Sequence, residues 1–270
     1  MSSNELDIDL AMATAKAAVV AAASASLVHF RQGVRVETKS DRSPVTQADR
    51  EAEAAIFGII RTNFPHHALL GEETGEHAGD AETRWIVDPI DGTRGFTRGG
   101  YFWGPLVALE HRGVIVAGAM AMPVLGEVYW AARGKGAYRQ IGEEAPTRLL
   151  VSGMADFAEA TLFLGEPRAL FSPPIGERIT KLTLSCAQTR CYGDLAGCAM
   201  VLTGRADVWV EAGVQSWDLG PYPVLVEEAG GRFTDFEGKV TVHSGNCVVA
   251  NAKLHEQVMG VLRGGGGARC

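Results

Sequence analysis

The run of sequence WIVDPIDGT, which begins at Trp85, carries two carboxylates three residues apart, at Asp88 and Asp91. Its three leading apolar residues predict a short buried strand that ends at Asp88. Pro89 has no backbone N–H for a strand ladder, so we expect the chain to turn there. Asp91 would then cap a helix whose free N–H groups attract anions. Carboxylate oxygens beside an anion site are what a divalent cation and a phosphate need together.

Two more carboxylates fit the same chemistry. Glu72 follows the short apolar run 68–70, and Asp218 is the first residue of a helix predicted over 218–229. Taken singly, each is an ordinary loop or cap carboxylate. Four carboxylates at strand ends and helix starts favour a site for a hard cation, because burying them without cations would be costly. The sequence has no Walker A, G-x-S-x-G or H-E-x-x-H pattern, so hydrolysis of a phosphate ester by metal-activated water fits it best.

The composition indicates the class of protein that holds these residues. With 270 residues, of which 46% are hydrophobic and 21% charged, the chain can bury a full core. Its formal net charge of −7 argues against nucleic acid or an anionic membrane as a general partner. The five cysteines include no C-x-x-C pair, which predicts reduced thiols, a cytoplasmic location and no structural zinc site.

The N-terminal stretch 10–28 is rich in alanine, but Lys16 interrupts it, so no membrane span is expected. Glu5, Asp7 and Asp9 stand where a secretory signal would carry positive charge. We therefore expect a protein with no targeting segment and no membrane partner.

The elements that must position the carboxylates follow from the periodicity of apolar residues. Helices are predicted over 7–31 and 46–63, and Thr46 with Asp49 three residues later resembles a capping box. The polar stretch 74–83 has no periodicity and is predicted to be a surface loop.

From residue 103 to residue 139, short apolar runs suit a mostly antiparallel sheet, at 106–109, 114–122, 127–132 and 136–139. After residue 147 the predicted elements alternate, as in an α/β layer. The strands are predicted at 161–164, 189–192, 206–210 and 247–250, and the helices at 175–182, 195–203, 218–229 and 252–263. The chain is therefore predicted to be α/β (α+β), with an N-terminal half (1–145) that carries most metal ligands and a C-terminal half (146–270) that completes one catalytic unit.

Three motifs occur in a set order along the chain. They are Gly71-Glu72-Glu73, the run from Asp88 to Thr93, and Trp217-Asp218 with the downstream segment 227–231. Together they resemble the signatures of the inositol monophosphatase family, over residues 39–251. The segments most similar to the bacterial histidinol-phosphatase branch of that family are 39–49, 133–137 and 192–194. The resemblance implies a layered α-β-α-β-α sandwich and a phosphomonoesterase that uses two or three Mg²⁺ per active site.

The resemblance assigns metal and catalytic roles to the positions that match the family's motifs. The matching metal ligands are Glu72, Asp88, the backbone carbonyl of Ile90, Asp91 and Asp218. The matching catalytic residues are Glu72, Thr93 and Asp49. Thr93 and Glu72 would orient the attacking water, and Asp49 would support the threonine.

The phosphate and substrate contacts are assigned in the same way. The backbone N–H groups of Gly92 and Thr93 match those that receive phosphate, and Asp91, Asp194 and Glu211 match positions that contact the substrate. Arg190 is added for its charge, with an exposed surface position as the alternative reading.

Histidinol phosphate carries a cationic amine and an imidazole, so its pocket should offer carboxylates beyond those that hold metal. Asp194 and Glu211 meet this requirement and favour histidinol phosphate as the substrate, in histidine biosynthesis. Inositol 1-phosphate or a broad range of sugar phosphates is the alternative. A nucleotide or an adenosine 3′,5′-bisphosphate is a weaker third candidate.

A different class of function stays open, which is a non-catalytic regulatory or RNA-binding homologue. The intact metal positions and the acidic net charge disfavour it. For the enzyme, the expected reaction is in-line attack of water on phosphorus, without a covalent phospho-enzyme. Its partner would be a small phosphorylated metabolite, and the resemblance implies a homodimer.

Overall fold

Two β-sheets alternate with layers of helices in the computed structural model, which describes residues 6–32, 36–38 and 44–264. The helices are α1 (Ile8–Gln32), α2 (Gln47–Asn63), α3 (Thr93–Thr97), α4 (Pro167–Leu170), α5 (Gly176–Ser185), α6 (Asp194–Leu202), α7 (Ser216–Leu219), α8 (Tyr222–Glu228) and α9 (Ala252–Leu262). The strands are β1 (Val36–Thr38), β2 (Pro44–Thr46), β3 (His67–Gly71), β4 (Gly75–His77), β5 (Asp80–Asp91), β6 (Gly104–His111), β7 (Val114–Met122), β8 (Glu127–Ala132), β9 (Gly136–Ile141), β10 (Thr147–Arg148), β11 (Thr161–Leu164), β12 (Gln188–Cys191), β13 (Val208–Ala212), β14 (Gly231–Thr234) and β15 (Asn246–Asn251). Residues 39–43, within the segment that resembles the histidinol-phosphatase branch, lie outside the described part.

The larger sheet has the strand order β10-β9-β8-β7-β6-β5-β3-β4. Its neighbouring strands are antiparallel, except that β3 and β5 run parallel. The four apolar runs predicted between residues 103 and 139 become β6 to β9, which confirms the antiparallel prediction. The last strand, β10, pairs with β9, so this sheet extends just past the boundary predicted at residue 145.

The smaller sheet has the strand order β12-β11-β13-β15-β14. Strands β11, β12 and β13 are parallel, whereas β15 is antiparallel to both of its neighbours. The alternation of strands and helices predicted for the second half is therefore correct.

The helices form three layers around the two sheets. Helices α1 and α2 cover the outer face of the larger sheet, α6 to α8 lie between the sheets, and α5 and α9 cover the outer face of the smaller sheet. Each interface has its own apolar core, and the one between the sheets includes Ile86, Trp209 and Tyr222. This is the expected α-β-α-β-α arrangement, and it brings strand ends from both halves of the chain to one place.

Helix α1 has a length and composition that would also suit a membrane span. The helix predicted over 7–31 is confirmed, but the single charge of Lys16 does not keep this stretch from being apolar and long enough for a span. Lys16 instead donates from Nζ to Gln140 Oε1 at 3.0 Å and lies over the Trp130 ring. The alanine face is fully buried against α2 and the larger sheet, for example at Ala15. Packing, not an interrupting charge, is thus the evidence that α1 is a core helix.

The prediction of a surface loop over 74–83 is wrong. The structure places β4 there, and β5 already begins at Asp80. Residues 80–82 are exposed, so they carry no apolar pattern, yet Thr83 pairs with His111 on β6. Backbone hydrogen bonds hold this end of the strand and need no apolar side chains.

Two details near the predicted site also differ from expectation. Strand β5 continues to Asp91, with only a break in its pairing between Asp88 and Asp91, so Asp91 does not cap a helix. Gly92, in the left-handed region at φ 80°, precedes the short helix α3. The helix predicted over 218–229 is split into α7 and α8, because Pro221 cannot donate the hydrogen bond that would continue α7.

Other elements follow or extend the sequence patterns. Thr46 and Asp49 form the predicted capping box at the start of α2. The hairpin of β1 and β2 and the strand β14 were not predicted, since each strand has only three or four residues.

Candidate active site

A cavity of about 570 Å³ opens where strand ends of both sheets meet the layer of helices between them. Its lining contains seven carboxylates, which are Glu72, Asp88, Asp91, Glu166, Asp194, Glu211 and Asp218. Arg94 is the cationic side chain of this lining. The cavity is therefore strongly acidic, as the sequence predicts.

Asp88 and Asp91 lie at the carboxyl end of β5 and are almost completely buried, with 1% and 6% of their surface exposed. Asp88 Oδ1 accepts a hydrogen bond from the Ile90 N–H at 2.9 Å. Asp91 Oδ2 accepts one from the Leu195 N–H at 2.6 Å, at the start of α6. A backbone donor from the second half of the chain thus orients a carboxylate of the first half.

Asp218, on the short helix α7, lies in the same cavity as Asp88 and Asp91. Its Oδ2 accepts a hydrogen bond from the Gln215 N–H at 2.6 Å, as part of a capping box. Asp88, Asp91 and Asp218 each offer an oxygen atom, and these three atoms lie within 4.8 Å of one another. We call these residues the aspartate trio.

The aspartate trio is electrostatically costly without a cation. Burial raises the pKa of Asp88, and the neighbouring charges of Glu72, Asp91 and Asp218 raise it further. The pKa of Asp91 is raised by burial and then by Asp194 and Asp218, and burial raises the pKa of Asp218 to about 6. Hard oxygen donors gathered in this way fit a divalent cation such as Mg²⁺, whose charge would offset the repulsion.

Glu72 and Thr93 lie in the same cavity wall. Glu72 follows β3, its N–H donates to the Val87 carbonyl at 3.1 Å, and its carboxylate is close enough to Asp88 to raise the pKa of that residue. The Thr93 hydroxyl donates to the Ile90 carbonyl at 2.9 Å, so the carbonyl predicted as a metal ligand lies directly beside the threonine. The structure therefore brings Glu72, Thr93 and the aspartate trio together.

Gly92 lies between the trio and the second half of the molecule. A Cβ at this position would come within 2.9 Å of the Phe102 carbonyl and 3.2 Å of Asp194 Oδ2. With φ at 80°, the position also favours glycine for conformational reasons. The predicted phosphate contact is thus a site of close backbone approach.

The cavity's remaining carboxylates come from the smaller sheet and its loops. Glu211, on β13, is 3% exposed and accepts hydrogen bonds from the N–H groups of Glu166 at 2.7 Å and Ala212 at 3.0 Å. Burial nevertheless raises the pKa of Glu211 to about 7. Gly165 leaves room for this side chain, because a Cβ there would overlap the Glu211 carboxylate.

Asp194 begins α6 with φ at 52°, a conformation that aspartate and asparagine tolerate better than most residues. Its side chain reaches solvent, but the surrounding protein raises its pKa, and the nearby Glu166 raises it further. We call Glu166, Asp194 and Glu211 the distal carboxylates.

Sequence reasoning missed Glu166. The signal was present, since Glu166 follows a short apolar strand and precedes Pro167, as Asp88 precedes Pro89. Its carboxylate accepts a hydrogen bond from the Arg168 N–H at 2.9 Å at the start of α4. A strand-end carboxylate followed by proline thus occurs twice in this cavity.

Two of the predicted site residues do not line the cavity. Arg190 is exposed on the edge strand β12, and its Nη1 donates to the Thr189 carbonyl at 2.8 Å. Asp49 is buried at the start of α2, where its Oδ2 accepts hydrogen bonds from the Thr46 N–H at 2.7 Å and hydroxyl at 2.6 Å. The support of Thr93 by Asp49 and the contact of Arg190 with substrate stay predictions.

Comparisons with known proteins agree with the sequence motifs. A model of the inositol monophosphatase family matches residues 5–264. A histidinol-phosphatase of Mycobacterium tuberculosis is 38% identical to this chain, over 86% of this chain and 89% of that protein.

Solved structures resemble the fold over nearly the whole chain. The extragenic suppressor protein suhB from Bartonella henselae matches with a TM-score of 0.83 and 30% identity, over 94% of this chain and 98% of that chain. An inositol monophosphatase from Anabaena (Nostoc) sp. PCC 7120 matches with a TM-score of 0.81 and 26% identity, over 96% and 97%.

Proposed function

Because this chain belongs to the inositol monophosphatase family and is a phosphoric monoester hydrolase, we propose that it converts histidinol phosphate to histidinol and phosphate. The distal carboxylates are the observation that carries this choice of substrate. Three carboxylates beside the aspartate trio exceed what metal binding requires. A substrate that brings positive charge to this part of the cavity would offset them.

Histidinol phosphate has the matching chemistry. Its ammonium group can donate hydrogen bonds to ionised carboxylates, and charge-assisted bonds of this kind are the stronger ones. Glu211, whose pKa is raised to about 7, would be held in its ionised form by such a cation. An uncharged polyol would bring no positive charge to offset the distal carboxylates.

We propose Mg²⁺ as the metal, held by the aspartate trio together with Glu72. Carboxylate oxygens are the ligands that Mg²⁺ prefers, and burial with like charge raises the pKa values of Asp88, Asp91 and Asp218, a repulsion that a bound cation would offset. When bound, the metal supplies charge stabilisation to the phosphoryl oxygens and makes a coordinated water more acidic.

The protein's own residues would orient the reactants. Glu72 and Thr93 would hold the attacking water in line with the ester bond, and positioning of this kind accounts for much of phosphoryl-transfer catalysis. The N–H groups of Gly92 and Thr93 would donate to the phosphoryl oxygens. Asp194 and Glu211 would bind the leaving alcohol, so no serine or cysteine nucleophile is needed.

The substrate is tested by comparing kcat/KM for histidinol phosphate and inositol 1-phosphate at saturating Mg²⁺. We expect histidinol phosphate to be preferred by about tenfold or more, the effect of a charged hydrogen bond. A preference for inositol 1-phosphate would assign the protein to the inositol phosphatases. Absence of phosphate release from either compound and from a general phosphomonoester would instead favour the non-catalytic homologue.

The cytoplasmic location and the homodimer stay predictions. Sedimentation of the purified protein with and without Mg²⁺ measures the oligomeric state directly. A monomer at micromolar concentration would contradict the expected dimer.

A further inference from the structure

Glu53 is a buried acid outside the cavity lining. It lies on α2 with 1% of its surface exposed, beneath the turn that joins β3 to β4. That turn carries Glu72, whose side chain reaches Asp88. A carboxylate in such a position is costly to bury unless its hydrogen bonds contribute something specific.

Glu53 contacts the residue before Glu72 and the residue after it. Glu53 Oε1 accepts a hydrogen bond from the N–H of Glu73 at 3.0 Å. On the other side, Gly71 packs directly on the same carboxylate, since a Cβ at Gly71 would overlap Oε1 and lie 2.7 Å from Cδ. The side chain of Phe57, one helical turn further along α2, also packs against Gly71.

The opposite face of the turn is held by β5. Gly71 pairs with Val87, and the Glu72 N–H donates to the Val87 carbonyl at 3.1 Å. The strand therefore fixes the backbone up to Glu72, and Glu53 fixes the residue that follows. Side chains of neighbouring residues point in different directions, so the orientation of this turn decides whether Glu72 or Glu73 faces the cavity.

We propose that Glu53 is a positioning residue, whose carboxylate holds the turn at residues 71–73 so that Glu72 faces the aspartate trio and joins in binding the cation. The inference rests on the metal chemistry proposed above, but not on the identity of the substrate. Residues that orient metal ligands through one further contact commonly change metal affinity or activity by about 10-fold to 100-fold when replaced.

Two substitutions separate the hydrogen bond from the charge. Glu53→Gln keeps an oxygen that can accept from the Glu73 N–H, whereas Glu53→Met keeps the approximate shape and removes the acceptor. We expect Glu53→Met to raise the Kd for Mg²⁺ by about tenfold or more, and Glu53→Gln to stay within about threefold of the parent protein. Glu51→Gln is the matched control, because Glu51 lies on the same helix with an exposed side chain.

The measurement is calorimetric titration of the full-length protein with Mg²⁺ in the absence of substrate. The second readout is the Mg²⁺ concentration that gives half-maximal hydrolysis of p-nitrophenyl phosphate. A general phosphomonoester makes both readouts independent of whether histidinol phosphate is the natural substrate. An error in the proposed substrate would change the kcat/KM comparison and leave these two results as expected.

A purely structural role predicts a different outcome. Glu53→Met would then lower the melting temperature while the Kd for Mg²⁺ stayed unchanged, which would overturn the proposal. If Glu53→Met does not fold, Glu53→Asp replaces it, because the shorter side chain retracts the acceptor from Glu73 and should weaken Mg²⁺ binding in the same direction.

A double-mutant cycle tests whether Glu53 acts through Glu72. In a Glu72→Gln background, Glu53→Met should change the Kd for Mg²⁺ by less than about twofold, because the ligand it positions is already altered. Independent effects of the two substitutions would overturn the proposal. A parent protein that binds no Mg²⁺ would overturn both this inference and the proposed metal.

Discussion

The two ends of the ladder between β5 and β6 hold buried carboxylates in opposite electrostatic states. At one end, Glu110 accepts a hydrogen bond from Arg84 Nη2 at 2.7 Å and lies 2.7 Å from His243 Nε2. Burial alone would raise the pKa of Glu110, but the hydrogen bonds with His243 and Arg84 outweigh it, and the pKa is lowered. At the other end, Asp88 and Asp91 face further carboxylates, and burial with like charge raises the pKa of both.

The difference separates a carboxylate that stabilises the fold from carboxylates that, as we propose, bind the catalytic metal. Glu110 is paired with the Arg84 guanidinium and hydrogen-bonded with the His243 imidazole, so its ionised form is stable after folding. The aspartate trio receives backbone N–H groups, and we propose that a bound cation supplies its opposite charge. Carboxylates held ready for a metal therefore lower the stability of the metal-free protein, whereas a paired carboxylate raises it.

The largest expected effect removes one charge from the aspartate trio. Asp91→Asn should reduce hydrolysis of a general phosphomonoester by about a thousandfold, because it weakens both metal binding and the charge stabilisation that metal supplies. The metal-free variant should melt no lower than the parent protein, since the substitution relieves repulsion. The matched control is Glu110→Gln, for which turnover should stay within about threefold. Turnover near the parent value for Asp91→Asn would contradict the metal assignment.

The next effect is a difference in the pH dependence of stability between the metal-free and the metal-bound protein. The pKa of Asp218 is about 6 in the folded protein against 3.8 in a free aspartate. Its contribution to stability is therefore present below about pH 4 and is lost as the pH rises through 6. Mg²⁺ should remove this loss by binding the ionised form.

The check is the melting temperature with EDTA and with Mg²⁺ between pH 5 and pH 8. The stabilisation by Mg²⁺ should grow with pH over this range, since fewer protons then compete for the carboxylates. If the stabilisation by Mg²⁺ did not change between pH 5 and pH 8, the carboxylates of the trio would not be the groups that compete with protons for the metal.

The third prediction concerns the paired end of the ladder. Glu110→Gln should destabilise the protein by about 2 kcal/mol at neutral pH, because Arg84 and His243 lose a charged acceptor. The lowered pKa of Glu110 means that this stability is present above about 4.5 and is lost as the pH falls below it. Urea unfolding at pH 7 and pH 4 should therefore show a smaller difference between variant and parent at the lower pH. An equal difference at both pH values would argue against the charge as the cause.

The smallest expected effect concerns substrate preference. Asp194→Asn should lower kcat/KM for histidinol phosphate by about tenfold relative to inositol 1-phosphate, since the cation loses one charged partner. Asparagine suits the backbone at φ 52°, so the variant should keep the start of α6 in place. Glu143→Gln, an exposed acid outside the cavity lining, is the control. Equal losses for both substrates would contradict recognition of a cation at Asp194.

Much of the candidate site could be predicted because its residues carry local signals. Asp88 follows a short apolar run and precedes proline, and Asp218 lies in the first turn of the short helix α7, so sequence alone placed both near element ends. Glu166 carries the same signal as Asp88 and could have been found. Arg190 carried no signal beyond its charge, and the structure places it on an exposed edge strand.

The sequence also predicted the layers of the fold better than the details of its turns. Apolar periodicity identified the strands from β6 to β9 and the alternation of the second half. It missed the exposed beginning of β5, since backbone pairing there is independent of side-chain type. It also joined α7 and α8, because apolar periodicity continues across the break at Gly220 and Pro221.

The sequence by itself determined which residue types stand at the ends of which elements, because strand ends, caps and turns depend on residues close together in the chain. Only the tertiary structure decided which of these ends meet. The Leu195 N–H reaches Asp91 across 104 positions, and Asp218 joins Asp88 and Asp91 from another layer. Such contacts depend on how two sheets and three helical layers pack, and no local pattern records that packing. The positioning of Glu72 by Glu53, which we propose, belongs to the same class of contact.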